Sequence, residues 1–180
     1  MLVLLIRVGR TVTSTSTMAA TARDLHAYPA MNLEASHSPS WRPERDPGRP
    51  ARILVADDDA DLLELVSDAL REDGYEVVEE HDGGRLLVRI AAVYAPGSTV
   101  EPIDLIVSDV CMPVCSGLDV LVGLRNARWA TPVILMTAYG DPDVRARASH
   151  LGALLLEKPF EASDLREKVK AMLASARQRG

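Results

Sequence analysis

Acidic, hydroxyl and amino side chains stand directly after four short apolar runs of this sequence. The residues concerned are Asp57, Asp58, Asp59, Asp109, Thr137 and Lys158. Carboxylates that lie close together repel one another, and burial raises that cost, so a cluster of them requires a cation. Oxygen ligands suit a hard divalent ion, and we expect Mg²⁺. If the four runs end at one place, the sequence predicts a magnesium site there.

A magnesium site of this composition suits phosphoryl chemistry. Mg²⁺ in proteins keeps several waters and leaves coordination positions for phosphate oxygens. Thr137 and Lys158 would hold the remaining oxygens of a phosphoryl group, and Asp109 is placed to attack it and form an acyl phosphate. Simpler roles are also open: Lys158 can neutralise the acids, Thr137 can cap a turn, and Asp59 can cap a helix.

The hydrophobic pattern predicts the elements that must bring these residues together. Five strands are predicted at 52–56, 75–80, 103–108, 132–137 and 153–157, and five helices at 60–73, 84–94, 117–127, 142–151 and 161–177. Strict alternation of strand and helix is typical of a parallel sheet covered on both faces, and continuous apolar strands are typical of its interior. We predict a doubly wound, five-stranded α/β domain, in which ligands bind at the carboxyl ends of the strands.

The first 50 residues differ from the rest of the chain. They contain a Ser/Thr-rich tract and a Pro/Arg-rich tract without sustained periodicity. Such segments bury too little apolar surface to offset the entropy of ordering. We therefore interpret 1–50 as a disordered extension, or as a misassigned start with Met18 or Met31 as the true first residue, and 51–178 as the domain. Docking of the Arg-rich tract on an acidic partner is the alternative.

Composition and charge argue against several classes of function and location. Residues 51–180 carry 14 Lys and Arg against 22 Asp and Glu, and a domain of that sign repels nucleic acid. Cys111 and Cys115 supply only half of a zinc ligand set, so two reduced cysteines are expected. No apolar run reaches the roughly 20 residues of a membrane span. The apolar patch at 2–6 is shorter than the apolar core of a secretory signal, and the nearest positive charge, Arg7, follows it instead of preceding it. We therefore expect a cytoplasmic protein.

Four motifs in order resemble the receiver domain of two-component response regulators: RILVADDDADLLELV, DLIVSDVCMPVCSGLDVL, PVILMTAYGD and EKPF. The resemblance runs from about 52 to 176 and implies a flavodoxin-like, CheY-like fold. It implies a switch that is phosphorylated by a sensor histidine kinase or a phosphotransfer protein.

The resemblance also implies the role of each site residue. Asp109 would be the phosphoacceptor, and Thr137 and Lys158 would bind the phosphoryl group. The implied magnesium ligands are Asp58, Asp57 through water, Asp109, and the backbone carbonyl of Cys111. The bond between Lys158 and Pro159 is expected to be cis.

Several positions depart from the family pattern. Leu155 stands where an aromatic residue usually swings inward on activation, which puts the usual coupling in doubt. The link from Gly152 to Lys158 is shorter than usual, and the segment 83–104 is longer, with APGSTVEP as the expected insertion. Cys111 and Tyr139 occupy the two positions that flank the path of an attacking water.

Signal output is expected through protein contact. About twenty residues follow Phe160, enough for one helix. The resemblance implies that helix 4, strand 5 and helix 5 form the partner surface, which is also a candidate for homodimerisation. No enzymatic activity beyond self-phosphorylation and self-dephosphorylation is expected.

Three other functions match the sequence less well. A phosphatase of the haloacid dehalogenase type requires Thr or Val where this chain has Asp61. It also requires an acidic pair after its lysine, where this chain has only Glu161 and Asp164, on a predicted helix. A calcium loop needs Gly where Leu62 stands. A binding-only receiver that is never phosphorylated remains an alternative. Leu155 is consistent with it, because the aromatic residue of the usual switch is missing.

Tyr139 generates a testable hypothesis. A bulky Tyr139 and a weakly hydrogen-bonding Cys111 would orient water poorly and lengthen the life of the phosphorylated state; the alternative is that both side chains only fill space. The hypothesis predicts faster loss of the phosphoryl group after Tyr139→Ala, timed with radiolabelled protein. An unchanged or slower loss would remove it.

Overall fold

The computed structural model describes residues 48–95, 97–138 and 141–178. Within them, five strands alternate with five helices. The strands are β1 (Arg52–Ala56), β2 (Glu76–Glu80), β3 (Leu105–Asp109), β4 (Val133–Thr137) and β5 (Leu154–Glu157). The helices are α1 (Ala60–Glu72), α2 (Gly83–Val93), α3 (Gly117–Asn126), α4 (Pro142–His150) and α5 (Ala162–Gln178). The predicted fold class is confirmed.

The five strands form one parallel sheet in the order β2-β1-β3-β4-β5. The chain passes from β1 outward to β2 and then crosses back to β3 on the other side of β1. In an open α/β sheet the loops diverge at such a reversal and leave a crevice outside the carboxyl ends of the strands. Here the reversal lies between β1 and β3, so their carboxyl ends define the place to look for a site.

Aliphatic side chains fill both sides of the sheet. Helices α2, α3 and α4 cover one side, where Leu86, Ile90, Leu121 and Leu124 pack with Leu54 and Leu135. Helices α1 and α5 cover the other, where Leu63, Val66, Leu165 and Val169 pack with Val55 and Ile134. Strands β3 and β4 are buried along their whole length. This explains why they read as continuous apolar runs rather than alternating ones.

Helix ends are closed by the residues that the sequence marks for that purpose. The side chains of Asp59, Asp82, Ser116 and Asp141 accept hydrogen bonds from backbone amides in the first turns of α1 to α4. Each cap satisfies an amide that lacks an intrahelical partner. Asp59 is therefore a helix cap, although it directly follows Asp57 and Asp58.

Aromatic and basic side chains close the edge of the sheet formed by the amino ends of the strands. The rings of Tyr94 and Trp129 stack with their centroids 4.1 Å apart. The guanidinium of Arg125 donates to the carbonyl oxygens of Leu151, Trp129 and Thr131 at 2.8, 2.8 and 3.1 Å. Burial lowers the pKa of Arg125. Arg125 thus connects the ends of α3 and α4 to the start of β4.

Strand β3 begins at Leu105, two residues later than the apolar run suggests. The Asp104 carboxylate accepts a hydrogen bond from the Arg52 amide at 2.8 Å, and the Asp104 amide donates to the Arg52 carbonyl at 2.8 Å. A side chain therefore replaces the first step of the ladder. Asp104 also pairs with Arg49 at 3.1 Å, which holds residues 48–50 at this end. The prediction of a disordered extension falls, up to residue 47, outside the described residues.

No helix within 48–95, 97–138 and 141–178 combines the length and the apolar character needed to cross a membrane.

Two glycines of α3 predict opposite effects of the same substitution. A Cβ at Gly117 would lie 2.2 Å from the backbone carbonyl oxygen of Asp109, whereas a Cβ at Gly123 would meet nothing within 4 Å. Gly117→Ala is expected to lower the free energy of unfolding by about 1–3 kcal/mol, because backbone must shift. Gly123→Ala is expected to raise it by about 0.5–1 kcal/mol, because alanine restricts the unfolded chain and favours helix. Urea unfolding of both variants measures the difference, and equal effects would contradict the packing described.

Candidate functional site

Four of the predicted site residues meet at the carboxyl edge of the sheet. Ala56 of β1 pairs with Ser108 of β3, so the residues that follow, Asp57 and Asp109, lie side by side at the reversal of strand order. Thr137 ends β4, and Lys158 comes directly after β5. Asp57, Asp109 and Thr137 are only 1%, 5% and 4% exposed. The fold thus buries two carboxylates and a threonine next to each other.

Lys158 lies between the two buried acids. Its Nζ donates to Asp57 Oδ2 at 2.9 Å and to Asp109 Oδ1 at 2.5 Å. Its backbone amide donates to the Thr137 carbonyl oxygen at 2.8 Å, which fixes the start of the side chain at the end of β4. The bond from Lys158 to Pro159 is cis, as expected. The ion pair that the sequence leaves open as a role for Lys158 is therefore present.

Backbone amides satisfy the other two carboxylate oxygens. The Asp59 amide donates to Asp57 Oδ1 at 3.0 Å, and the Cys111 amide donates to Asp109 Oδ2. Every oxygen of the two acids therefore accepts at least one hydrogen bond. Charge-assisted bonds of this kind make burial of a carboxylate tolerable.

The electrostatics of the site follow from burial and crowding. Burial raises the pKa of Asp109, and the negative charge of Asp57 acts in the same direction, while the bonds from Lys158 and Cys111 act against them. Burial alone would lower the pKa of Lys158, but its bonds to Asp109 and Asp57 outweigh that effect and raise it. Asp57 and Asp109 thus hold Lys158 in its charged form, and its ammonium group is the cation that both acids share.

The remaining predicted residues lie at the mouth of the site or outside the described chain. Asp58 is exposed, and so is Cys111, whose backbone amide reaches Asp109. Cys115 is half-buried, and burial raises the pKa of its thiol. Tyr139 falls outside the described residues, so the hypothesis about its role stays a prediction.

The donor set fits a hard cation but is not assembled around one. Among the residues that the structure describes, no group of three or more His, Cys, Asp and Glu side chains is arranged to hold a metal ion. Mg²⁺ does not need such a cage, because it usually keeps several waters and binds through one or two carboxylates. Two buried carboxylates share one ammonium group here, and a third acid, Asp58, lies beside them. The excess negative charge and the oxygen chemistry both fit magnesium.

Leu155 occupies the β5 position at which an aromatic residue was expected from the resemblance. It pairs in register with Leu135 of β4 and packs, half-buried, against the hydrophobic core on the side of α2, α3 and α4. Its side chain is therefore already in contact with the core. An inward swing from solvent is therefore not required of this residue.

The loop after β3 contains a feature that sequence reasoning missed. Val114 has a φ of 71°, and the Cys115 amide donates to the Pro113 carbonyl oxygen at 2.8 Å. These are the marks of a γ-turn with a positive central φ, which is rare and strained. A residue held in a sparsely populated backbone conformation of this kind costs about 1–3 kcal/mol. The only sequence signal was indirect: the Gly83-Gly84 pair, which lets α2 approach this loop.

The comparisons with known proteins agree on one family. The family model described as response regulator receiver domain matches residues 53–170. The chain is 33% identical over 136 residues to the transcriptional regulatory protein PdtaR of Mycobacterium tuberculosis, covering 75% of this chain and 62% of PdtaR. It is 36% identical over 123 residues to the transcriptional regulatory protein CpxR of Escherichia coli, covering 68% of this chain and 49% of CpxR. The matched region thus spans about half to three fifths of these relatives.

Solved structures show the same similarity in three dimensions. A CheY-like response regulator receiver domain protein from Methanospirillum hungatei has a TM-score of 0.65 and 27% identity, covering 73% of this chain and 99% of that one. The chemotaxis response regulator CheY4 of Vibrio cholerae has a TM-score of 0.58 and 28% identity, covering 68% and 98%.

The Asp57–Lys158–Asp109 arrangement predicts a non-additive effect on stability. Lys158→Met is expected to lower the free energy of unfolding by about 1–3 kcal/mol in EDTA, because it leaves two neighbouring buried carboxylates without a cation. Combined with Asp109→Asn, which removes one charge, the loss should be smaller than the sum of the single effects. Lys168→Met on α5 is the matched control. Additive effects in urea unfolding would contradict the arrangement.

Proposed function

The chain belongs to the family of response regulator receiver domains, and from that premise we propose that it accepts a phosphoryl group on Asp109 from a sensor histidine kinase or a phosphotransfer protein. Its output would be a change in protein contact. The observation that carries this proposal is the position of Lys158 Nζ, within 2.9 Å of Asp57 and 2.5 Å of Asp109 at the reversal of strand order.

The residues of the site divide the proposed reaction between them. A carboxylate oxygen of Asp109 forms the new bond to phosphorus, while the bond between phosphorus and the phosphohistidine nitrogen of the donor breaks, and the electron pair leaves with that nitrogen. Lys158 exchanges its bond to Asp109 for one to a phosphoryl oxygen, and the Thr137 hydroxyl donates to another. The ammonium of Lys158 is suited to this exchange, because it already lies on Asp109.

Magnesium completes the proposal. Asp57, Asp58, Asp109 and the carbonyl of Cys111 would hold it. When bound, Mg²⁺ supplies the positive charge that two carboxylates and an incoming phosphoryl group need together. Asp57 is already oriented at the site by the Asp59 amide, which donates to its Oδ1 at 3.0 Å.

The proposed partner surface consists of α4, β5 and α5. Helix α4 buries only Ala148, so few contacts oppose a shift of this helix. Arg145 of α4 pairs with Glu157, the residue directly before Lys158. A change in the position of Lys158 therefore acts next to a residue that contacts α4. Phosphorylation would shift an existing equilibrium between two arrangements of this surface.

The relatives are named as transcriptional regulatory proteins. We propose that this chain also affects transcription. The acidic balance of residues 51–180 favours an effect through another protein over direct contact with nucleic acid. The cytoplasm is the proposed compartment, because an exposed free thiol at Cys111 suits a reducing environment.

Phosphorylation can be tested on the full chain with acetyl phosphate and Mg²⁺. We expect one phosphoryl group per chain, stable in acid and labile in alkali, detected by intact mass and by phosphate-affinity electrophoresis. Asp109→Asn should abolish the adduct, because an amide replaces the nucleophilic carboxylate. Lys158→Met should lower its yield at least about tenfold, because one phosphoryl ligand is lost.

The matched control is Asp164→Asn, which removes an exposed acid of α5 and should leave the yield unchanged. Absence of any adduct in the unaltered chain, with magnesium binding retained, would support the binding-only alternative. Continuous release of phosphate without an accumulating adduct would support a phosphatase.

A further inference from the structure

Helix α2 carries two apolar faces, of which only one is covered. Gly83, Leu86, Ile90 and Val93 are buried against the sheet. A second set has the spacing of a single helix face, i, i+3, i+4 and i+7. This set, here called the α2 stripe, consists of Gly84, Leu87, Val88 and Ala91. Leu87 and Val88 are 41% and 65% exposed.

Val114 extends the α2 stripe beyond the helix. A Cβ built on Gly84 would lie 3.2 Å from Val114 Cγ1, so the two residues are in contact. Val114 is 79% exposed. Three of the six large apolar side chains that are exposed in the described part of the chain thus lie on this one surface.

The surface is held rigidly. The Gly83 amide donates to the Pro113 carbonyl oxygen at 3.3 Å, and a Cβ at Gly83 would lie 1.8 Å from the Cys115 carbonyl oxygen. The loop and the start of α2 are therefore in backbone contact. Val114 keeps its positive φ of 71° within this loop. Strain at an exposed apolar residue gives the isolated fold no benefit, and such outliers point to a role in function.

From this geometry we propose that the α2 stripe and Val114 form a contact surface for a second copy of this chain, with the two α2 helices antiparallel across a two-fold axis. This inference concerns a surface away from α4, β5 and α5 and does not rest on phosphorylation. Two-fold pairing along the stripe places Leu87 opposite Val88 of the second copy, and Gly84 opposite its Ala91. Small residues thus meet small residues at the ends, which allows the helices to approach closely.

Charge favours a second copy over the other occupants. Helix α2 has no acidic residue, whereas residues 51–180 carry eight more acids than bases. The two arginines of α2 each pair with an acid of the same chain, Arg85 with Asp82 at 3.5 Å and Arg89 with Glu80 at 2.8 Å. Two α2 surfaces therefore meet with less repulsion than two acidic surfaces would. Arg85, whose side chain is 70% exposed, lies in the first turn. In the antiparallel pair it faces the carbonyl end of the other helix, where a cation is stabilising. The chain's own apolar segment at 2–6 is followed by Arg7 and Arg10, which Arg85 would repel.

Self-association of the unphosphorylated full-length chain tests the proposal by sedimentation equilibrium. The stripe and Val114 amount to a handful of residues, far fewer than the roughly 20–30 residues per side of a stable interface, so association is expected between roughly 10 µM and 1 mM. Val88→Glu should weaken it at least about tenfold, because a charge would be buried in the contact. Leu65→Glu is the matched control, since Leu65 of α1 is 61% exposed and lies outside the stripe.

Val114→Gly separates contact from stability. It relieves the positive φ and removes the exposed side chain, so the urea midpoint should stay at or above that of the unaltered chain while association weakens. A monomer at every concentration would overturn the proposal, as would a dimer that Leu65→Glu weakens and Val88→Glu does not. Phosphorylation of Val88→Glu by acetyl phosphate should be unchanged, so failure of the proposed function and failure of this contact can be told apart.

Discussion

Two carboxylates buried side by side are the constraint around which the rest of this structure is arranged. Asp57 and Asp109 are almost fully removed from water, and neither can be neutralised by the other. Lys158 and two backbone amides satisfy them. Because each acid continues a different strand, the pair exists only if β1 and β3 are neighbours in register. The charge balance at the site therefore depends on the order of the strands in the sheet.

Much of the fold was predictable because the local and the global signals agree. The alternation of apolar runs, the capping acids at Asp59 and Asp141, and the stop after α1 at Gly74, with a φ of +84°, all have short-range causes. The site was predictable for a different reason: in a parallel sheet, residues that follow strands converge whatever their separation in sequence. Asp57 and Lys158 are brought together across 101 positions by that rule alone.

What the sequence did not predict depends on contacts between elements. The first step of β3 is replaced by the Asp104 side chain, and no propensity indicates that a carboxylate will take the place of a ladder bond. The positive φ of Val114 runs against the preference of a β-branched residue. It is tied to the close approach of Gly83, which only the packed structure reveals. The same holds for α2, whose sequence is apolar on two faces but does not say which face the sheet covers.

The backbone bond between Lys158 and Thr137 has a mechanical consequence. Because the amide of Lys158 is held on β4 at 2.8 Å, the last residue of β4 and the first residue after β5 cannot separate without breaking it. The ammonium group, by contrast, sits at the far end of four methylenes. A cation on such a tether can follow a moving oxygen over several ångströms through χ rotations alone. Local adjustment at Asp109 and rigid displacement of the two strands are thereby mechanically distinct, and only the second strains the sheet.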